Sequence, residues 1–140
     1  MEIDPALYES ANELAEALMT AAERDQHNKY FDLYAELEAL CAKAKGADKV
    51  HPYLLETLGD FTLEDEDAID LYEEALDLCD SLELPECRAS IQLAIADRYL
   101  EMGDMAAAKG YADQMEQSLA ESPNEGLKLE LDELRRGLKK

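Results

Sequence analysis

Apolar residues recur every three or four positions along almost the whole chain, and no stretch alternates strictly between apolar and polar. That period belongs to a helix with one buried face. A chain patterned this way buries its apolar stripes by packing helix on helix. Trp is absent, there are two Phe, and Ala, Leu, Glu and Asp dominate, which agrees with helix propensity. The expected fold class is all-α.

Stop and start signals divide the pattern into seven helices. Asp4-Pro5 opens the first, an N-cap followed by proline at the first helical position, and it runs to about 23. Its apolar stripe is Leu7, Ala11, Leu14, Ala15, Leu18, Met19 and Ala22. The polar string from Arg24 to Asn28 makes a turn, and the second helix spans about 29–45, ended by Gly46. His51-Pro52 opens a third at about 52–62, and a fourth covers about 65–82. Leu84-Pro85 breaks the chain before a fifth at about 86–102, which Gly103 stops. Asp104 caps the sixth, ending near 120, and a seventh covers about 125–138. Short connections make successive helices antiparallel neighbours. The 140 residues suit a single domain.

Small and large residues then repeat across pairs of helices. Ile95-Ala96 is followed by Tyr99, Gly103 and Ala108. Leu58-Gly59 is followed by Ala68, Tyr72, Ala75 and Leu76, and Tyr30 with Tyr34 stands in the equivalent place of the first pair. A small residue on one helix receives a bulky one from its partner. In these residues the chain resembles the tetratricopeptide repeat family. The copies are spaced 38 residues from Tyr30 to Ala68 and 40 from Ala68 to Ala108, against a family period of about 34. The second copy has a turn shorter than the family's and lacks its glycine, and no Trp fills the family's Trp position. The resemblance implies hairpins at about 4–45, 51–82 and 86–120, stacked as a short right-handed solenoid, with 125–138 as a C-terminal capping helix. Leu127, Leu131, Leu134 and Leu138 would face inward, and Glu130, Asp132 and Glu133 outward. The alternative is an irregular helical bundle.

The charge pattern bears on partners. Thirty-four Asp and Glu against thirteen Lys and Arg give a net charge of −21. Phosphate backbones and anionic membranes need positive charge, so neither is expected as a partner. No apolar run approaches the roughly 20 residues of a membrane-spanning helix, and the first residues are acidic and polar, unlike a signal peptide. Cys41, Cys79 and Cys87 are widely spaced and odd in number, which points to free thiols in a cytoplasmic protein.

From Val50 to Cys87 there are thirteen acids and no Lys or Arg. On the fourth helix Glu66, Asp67, Asp70, Glu73, Glu74, Asp77 and Asp80 fall within an arc of roughly 140°. Like charges at i,i+3 and i,i+4 without a counter-ion on the same helix are mildly destabilising. They serve either as a solvated face or as a docking surface for a basic protein. At the other end, Arg135, Arg136, Lys139 and Lys140 suit the dipole of the last helix.

Nothing points to catalysis. There is no Walker or dinucleotide-binding glycine motif, and two histidines stand apart from any cysteine. The run from Glu64 to Asp67 fails the calcium-loop pattern, because positions five and six from Asp65 are Ile69 and Asp70. No cofactor or metal is expected. The repeat resemblance implies binding on the concave face made by the first helix of each pair. That face would carry Asn12, Met19 and Glu23, then Tyr53, Glu56 and Asp60, then Ser90, Asp97 and Glu101. The family's clamp for a C-terminal carboxylate uses Lys, Arg and Asn, and an acidic face suits a basic segment instead. Together with Asp67, Asp70, Glu74 and Asp77 on the fourth helix, Tyr53, Glu56, Asp60, Asp97 and Glu101 are the candidate partner-binding residues. The expected function is a non-catalytic protein–protein interaction module. An immunity or inhibitor protein and a chaperone or adaptor both fit. The rivals are a metal-dependent helical enzyme using clustered carboxylates and a self-associating structural unit.

Overall fold

The computed structural model describes residues 2–139, which form helices α1 (Pro5–Glu23), α2 (His27–Gly46), α3 (Pro52–Asp60), α4 (Asp65–Ser81), α5 (Arg88–Glu101), α6 (Met105–Glu121) and α7 (Glu125–Leu138). A single 3-10 turn, Pro85–Cys87, leads into α5, and no strand occurs among the described residues. Lys140, the last of the four C-terminal cations, lies outside them.

The caps behave as their residue types dictate. Asp4 accepts from the Ala6 amide at 2.9 Å, Asp104 from Ala107 at 3.0 Å and Asn124 from Leu127 at 3.0 Å. His51 caps α3 through Nδ1, which accepts from the Tyr53 amide at 3.1 Å. At the other ends four helices close in the same way. A residue in the left-handed region follows the last turn, and the next amide reaches back five residues. Those residues are Asp25, Asp48, Glu83 and Gly103, with φ of 54°, 55°, 55° and 82°. The returning bonds are Gln26 to Ala21, Lys49 to Ala44, Leu84 to Cys79 and Asp104 to Tyr99, at 2.8–2.9 Å. Gly103 thus stops α5 as expected. Gly46 does not end α2 by a left-handed turn: it is the last helical residue, and Asp48 makes the turn. Because Asp25 reverses the chain alone, α2 also begins at His27, earlier than 29.

Each helix packs against the next in sequence, most extensively α1 with α2, α3 with α4 and α5 with α6; α1 also meets α3, and α5 meets α7. The core has three parts. Ala11, Leu18, Leu37, Cys41, Leu54 and Leu58 join α1, α2 and α3. Leu55, Ala68, Tyr72, Cys79, Ile91 and Ile95 join α3, α4 and α5. Ala89, Ala96, Ala112, Met115, Leu131 and Leu134 join α5, α6 and α7. Leu127 and Leu138 pack on this last part, while Glu130, Asp132 and Glu133 are exposed, as expected of α7. On α1 the stripe is narrower than expected: Met19 and Ala22 are exposed and Ala21 is buried instead. An end helix has fewer neighbours to cover it.

The paired small and large residues do meet. A Cβ at Gly59 would lie 2.6 Å from Cε1 of Tyr72, so the ring of α4 lies directly on the backbone of α3. Tyr72 is buried, and its hydroxyl donates to Asp60 at 2.7 Å. The adjoining turn is held from both sides. The Tyr30 hydroxyl donates to the Phe61 carbonyl at 2.5 Å, and the hydroxyls of Tyr34 and Thr62 lie 2.8 Å apart. From α5, Arg98 donates to the carbonyls of Gly59 at 3.0 Å and Thr62 at 2.9 Å, and to Asp65 at 3.1 Å.

Two stability measurements follow from this packing. Gly59→Ala should cost about 1–3 kcal/mol in urea unfolding, despite alanine's better helix propensity, because the buried Tyr72 ring has no room to retreat. Arg98→Met should cost about 2–4 kcal/mol, since it leaves two carbonyls and Asp65 without their charged donor. A Gly59→Ala protein as stable as the parent would show that the ring can move.

Candidate functional site

The nine candidate residues divide between two faces. Asp67, Asp70, Glu74 and Asp77 lie on the outer side of α4 and are all exposed. Of the other five, Asp60 on α3 stands with Asp97 and Glu101 on α5, whereas Glu56 lies next to Asp60 and Ser90 and Tyr53 lies against α1. Asp60, Asp97 and Glu101 line one groove of about 440 Å³, together with Leu63, Tyr72 and Arg98. Its walls are the end of α3, the turn after it and the second half of α5.

The outer face of α4 is less bare than its sequence implies. No cation lies on that helix, but other helices bring theirs across. Lys45 of α2 meets Glu74 at 2.6 Å, and Arg88 of α5 pairs with Asp80. Arg98 pairs with Asp65 at the start of α4 at 3.1 Å. The more exposed pairs, Lys45–Glu74 and Arg88–Asp80, contribute about 0.2–1 kcal/mol each. Glu74 is therefore a half-neutralised position, whereas Asp67, Asp70 and Asp77 present their carboxylates to water. The C-terminal cations act in a similar way: Arg135 spans from α7 to Asp113 and Glu116 of α6, at 3.2 and 3.1 Å.

The row on α3 and α5 has a different electrostatic character. Burial raises Glu56 to about 7, with repulsion from Asp60 adding and a hydrogen bond with Ser90 of α5 opposing. Burial also raises Asp60, although Tyr72 and Arg98 pull it down. The outer edge of Asp60 is exposed, but the crowding of the groove wall around its carboxyl sets the direction. Asp97 is raised by burial and then by Glu101 and by Glu130 of α7. Every shift resolved among these carboxyls runs toward holding a proton. That is the signature of partly desolvated acids with too little positive charge nearby. Arg98 is the cation closest to them, and its guanidinium is committed to the α3–α4 turn.

At the other end of α3, Tyr53 is half-buried. Its hydroxyl donates to Asn12 of α1, and its ring sits 5.1 Å from that of Tyr8. Asn12 is thereby joined to α3, while Met19 and Glu23 stand exposed farther along α1. Sequence reasoning missed Arg98, Glu130 and Leu63. Arg98 had a usable signal, being an arginine directly after the buried pair Ile95-Ala96 and the acid Asp97. Glu130 and Leu63 carry none, since only helix packing brings them to the row.

Two of the three thiols are held protonated, while the hydrogen bond from Cys79 lowers Cys87. Burial pushes Cys41 up to about 11, and the Cys79 thiol is raised because it donates to the sulfur of Cys87 and is buried. All three cysteines are free. Among the described residues no group of three or more His, Cys, Asp or Glu is arranged to hold a metal ion. No helix among the described residues is long and apolar enough to cross a membrane.

The raised carboxyl of Glu56 gives a pH test. Its folded value lies above its ordinary 4.5, so the fold favours the protonated form. Stability should rise as pH falls from about 8 toward 5, and flatten below the unfolded value. Glu56→Gln should be more stable than the parent at pH 8 and should lose this dependence. Equal pH profiles for the two proteins, measured by urea midpoints, would show that Glu56 is solvated.

Comparison of the chain with protein-family models, with curated proteins and with solved structures found no match, so its function has to be argued from this geometry.

Proposed function

We propose that the chain is a non-catalytic interaction module that docks a basic protein segment along the acidic row of α3, α5 and α7. One observation carries the reading: Asp60, Asp97 and Glu101 surround one groove, and the resolved carboxyl shifts there all run toward proton uptake. A row short of cations gains most from a partner that brings them. A lysine or arginine laid along the row replaces the missing counter-charge, and one beside Glu56 draws off the proton that burial holds there. Concentrated negative charge also accelerates encounter with a basic surface.

Stacked hairpins of the tetratricopeptide kind suit this role. The order of contacts supports them: α1 on α2, α2 on α3, α3 on α4, and so on to α7, with α1 also touching α3 and α5 touching α7. In that arrangement the first helices of the pairs share one face, and the row lies on it. Two biological roles fit. An immunity or inhibitor protein would hold one folded basic enzyme and silence it. A chaperone or adaptor would hold an exposed basic segment of a protein that is unstable alone.

The test is titration with a capped lysine- and arginine-rich peptide, followed by calorimetry at several salt concentrations and pH values. Binding should weaken with salt. It should strengthen as pH rises through about 7, because the partner selects ionised Glu56. Asp97→Asn with Glu101→Gln should weaken it about tenfold, whereas Asp67→Asn with Asp70→Asn on α4 should leave it within about twofold. Equal loss from both pairs would move the surface to general charge. No binding by the basic peptide, or equal binding of an acidic one, would end the proposal.

A further inference from the structure

A second cavity is larger than the acidic groove. It measures about 590 Å³, within the roughly 300–1,000 Å³ common for ligand sites, and lies between the end of α4, the start of α5 and α6. Gln92 of α5 belongs to its lining and is only 1% exposed. The Ser118 hydroxyl of α6 donates to Gln92 Oε1 at 2.7 Å. Its Nε2 has no hydrogen-bond partner, alone among the buried side-chain polar atoms of the described residues. An orphaned buried amide is costly, and native folds keep few. Here the orphan is a donor, held in place by Ser118 on a cavity wall.

The rest of the lining states what charge would accompany an acceptor. Asp80, Glu83 and Glu121 are exposed at the cavity, and its cation, Arg88, is already paired with Asp80. At about 100° per residue, Arg88 and Gln92 fall on the side of α5 opposite Ser90, Asp97 and Glu101. The cavity is therefore separate from the acidic row.

We propose that this cavity binds a lysine- or arginine-bearing stretch of peptide chain. A main-chain carbonyl of that stretch accepts from Gln92 Nε2, and its cation lies against Glu83 and Glu121. Nε2 has no exposed surface as the side chains stand, so the carbonyl reaches it once lining side chains such as the exposed Gln114 and Gln117 shift aside. The proposal is independent of the reading of the acidic row, because no residue is shared.

The test is NMR titration of the ¹⁵N-labelled full chain, following the side-chain amide pair of Gln92, assigned by its disappearance in Gln92→Met. Three probes separate the contributions: N-acetyl-lysine N-methylamide, N-acetyl-alanine N-methylamide and spermidine. The capped lysine should shift the Gln92 signals in a saturable way, with the capped alanine at least about fivefold weaker. Spermidine, which has no carbonyl, should leave those signals unmoved. Glu83→Gln with Glu121→Gln, exposed positions that leave the fold intact, should weaken the capped lysine roughly fivefold. Asp97→Asn with Glu101→Gln should not change it. Unmoved Gln92 signals with every probe, or equal shifts from spermidine, would overturn the proposal and leave Gln92 as a structural orphan.

Discussion

The turn between α3 and α4 is the point on which both neighbouring hairpins lean. Its backbone carbonyls are those that end a helix, and the turn's own amides and the Thr62 hydroxyl reach only those of Leu58 and Gly59. Further donors come from elsewhere: Tyr30 from α2 and Arg98 from α5 bond the carbonyls, while Tyr34 of α2 meets the Thr62 hydroxyl. One guanidinium bonds two carbonyls and a carboxylate, which a lysine could not do with the same planarity. The contact of Tyr72 with the bare backbone of Gly59 brings α3 and α4 close enough for this. The central hairpin is thereby locked to the one before it and the one after it.

That lock also shapes the acidic row. Arg98 stands next to Asp97 in sequence and near Asp60 in space, but its charge is directed into the turn. Asp60, Asp97 and Glu56 are left partly desolvated without a full counter-charge, which is why each is raised above its ordinary value, Glu56 to about 7. A structural cation placed for stability thus leaves an acidic groove behind it. The outer acids of α4 lie in water, and distant helices supply Lys45 and Arg88 to two of them. Carboxylates on the two faces therefore differ in what a cation would gain there.

Much of the row was legible in advance. Glu56 and Asp60 are one helical turn apart, as are Asp97 and Glu101, so each pair shares a face by spacing alone. Which faces meet was not legible. The resemblance to helical repeats suggested that α3 and α5 present one surface, but Glu130 enters from α7 and Leu63 from a turn, neither with a local signal. Gln92 was passed over for a related reason. A glutamine amid Ile91, Leu93 and Ile95 reads as one polar residue on a helix, and only the packing of α6 turns its amide inward to Ser118.

By itself the sequence determined the seven helices, their caps and the polarity of each face, because these depend on contacts within a few residues. Asp4-Pro5, His51-Pro52, Asp104 and the apolar stripes of α4 and α7 act where they stand. Helix ends were less legible, since a left-handed turn accepted Asp25, Asp48 and Glu83 where glycine would be expected. Tertiary structure alone decided which charges are compensated and which cavities open. Ion pairs such as Lys45–Glu74 and Arg98–Asp65 join residues 29 and 33 positions apart. Desolvation depends on every helix that closes over a carboxyl, and no spacing along one helix records that.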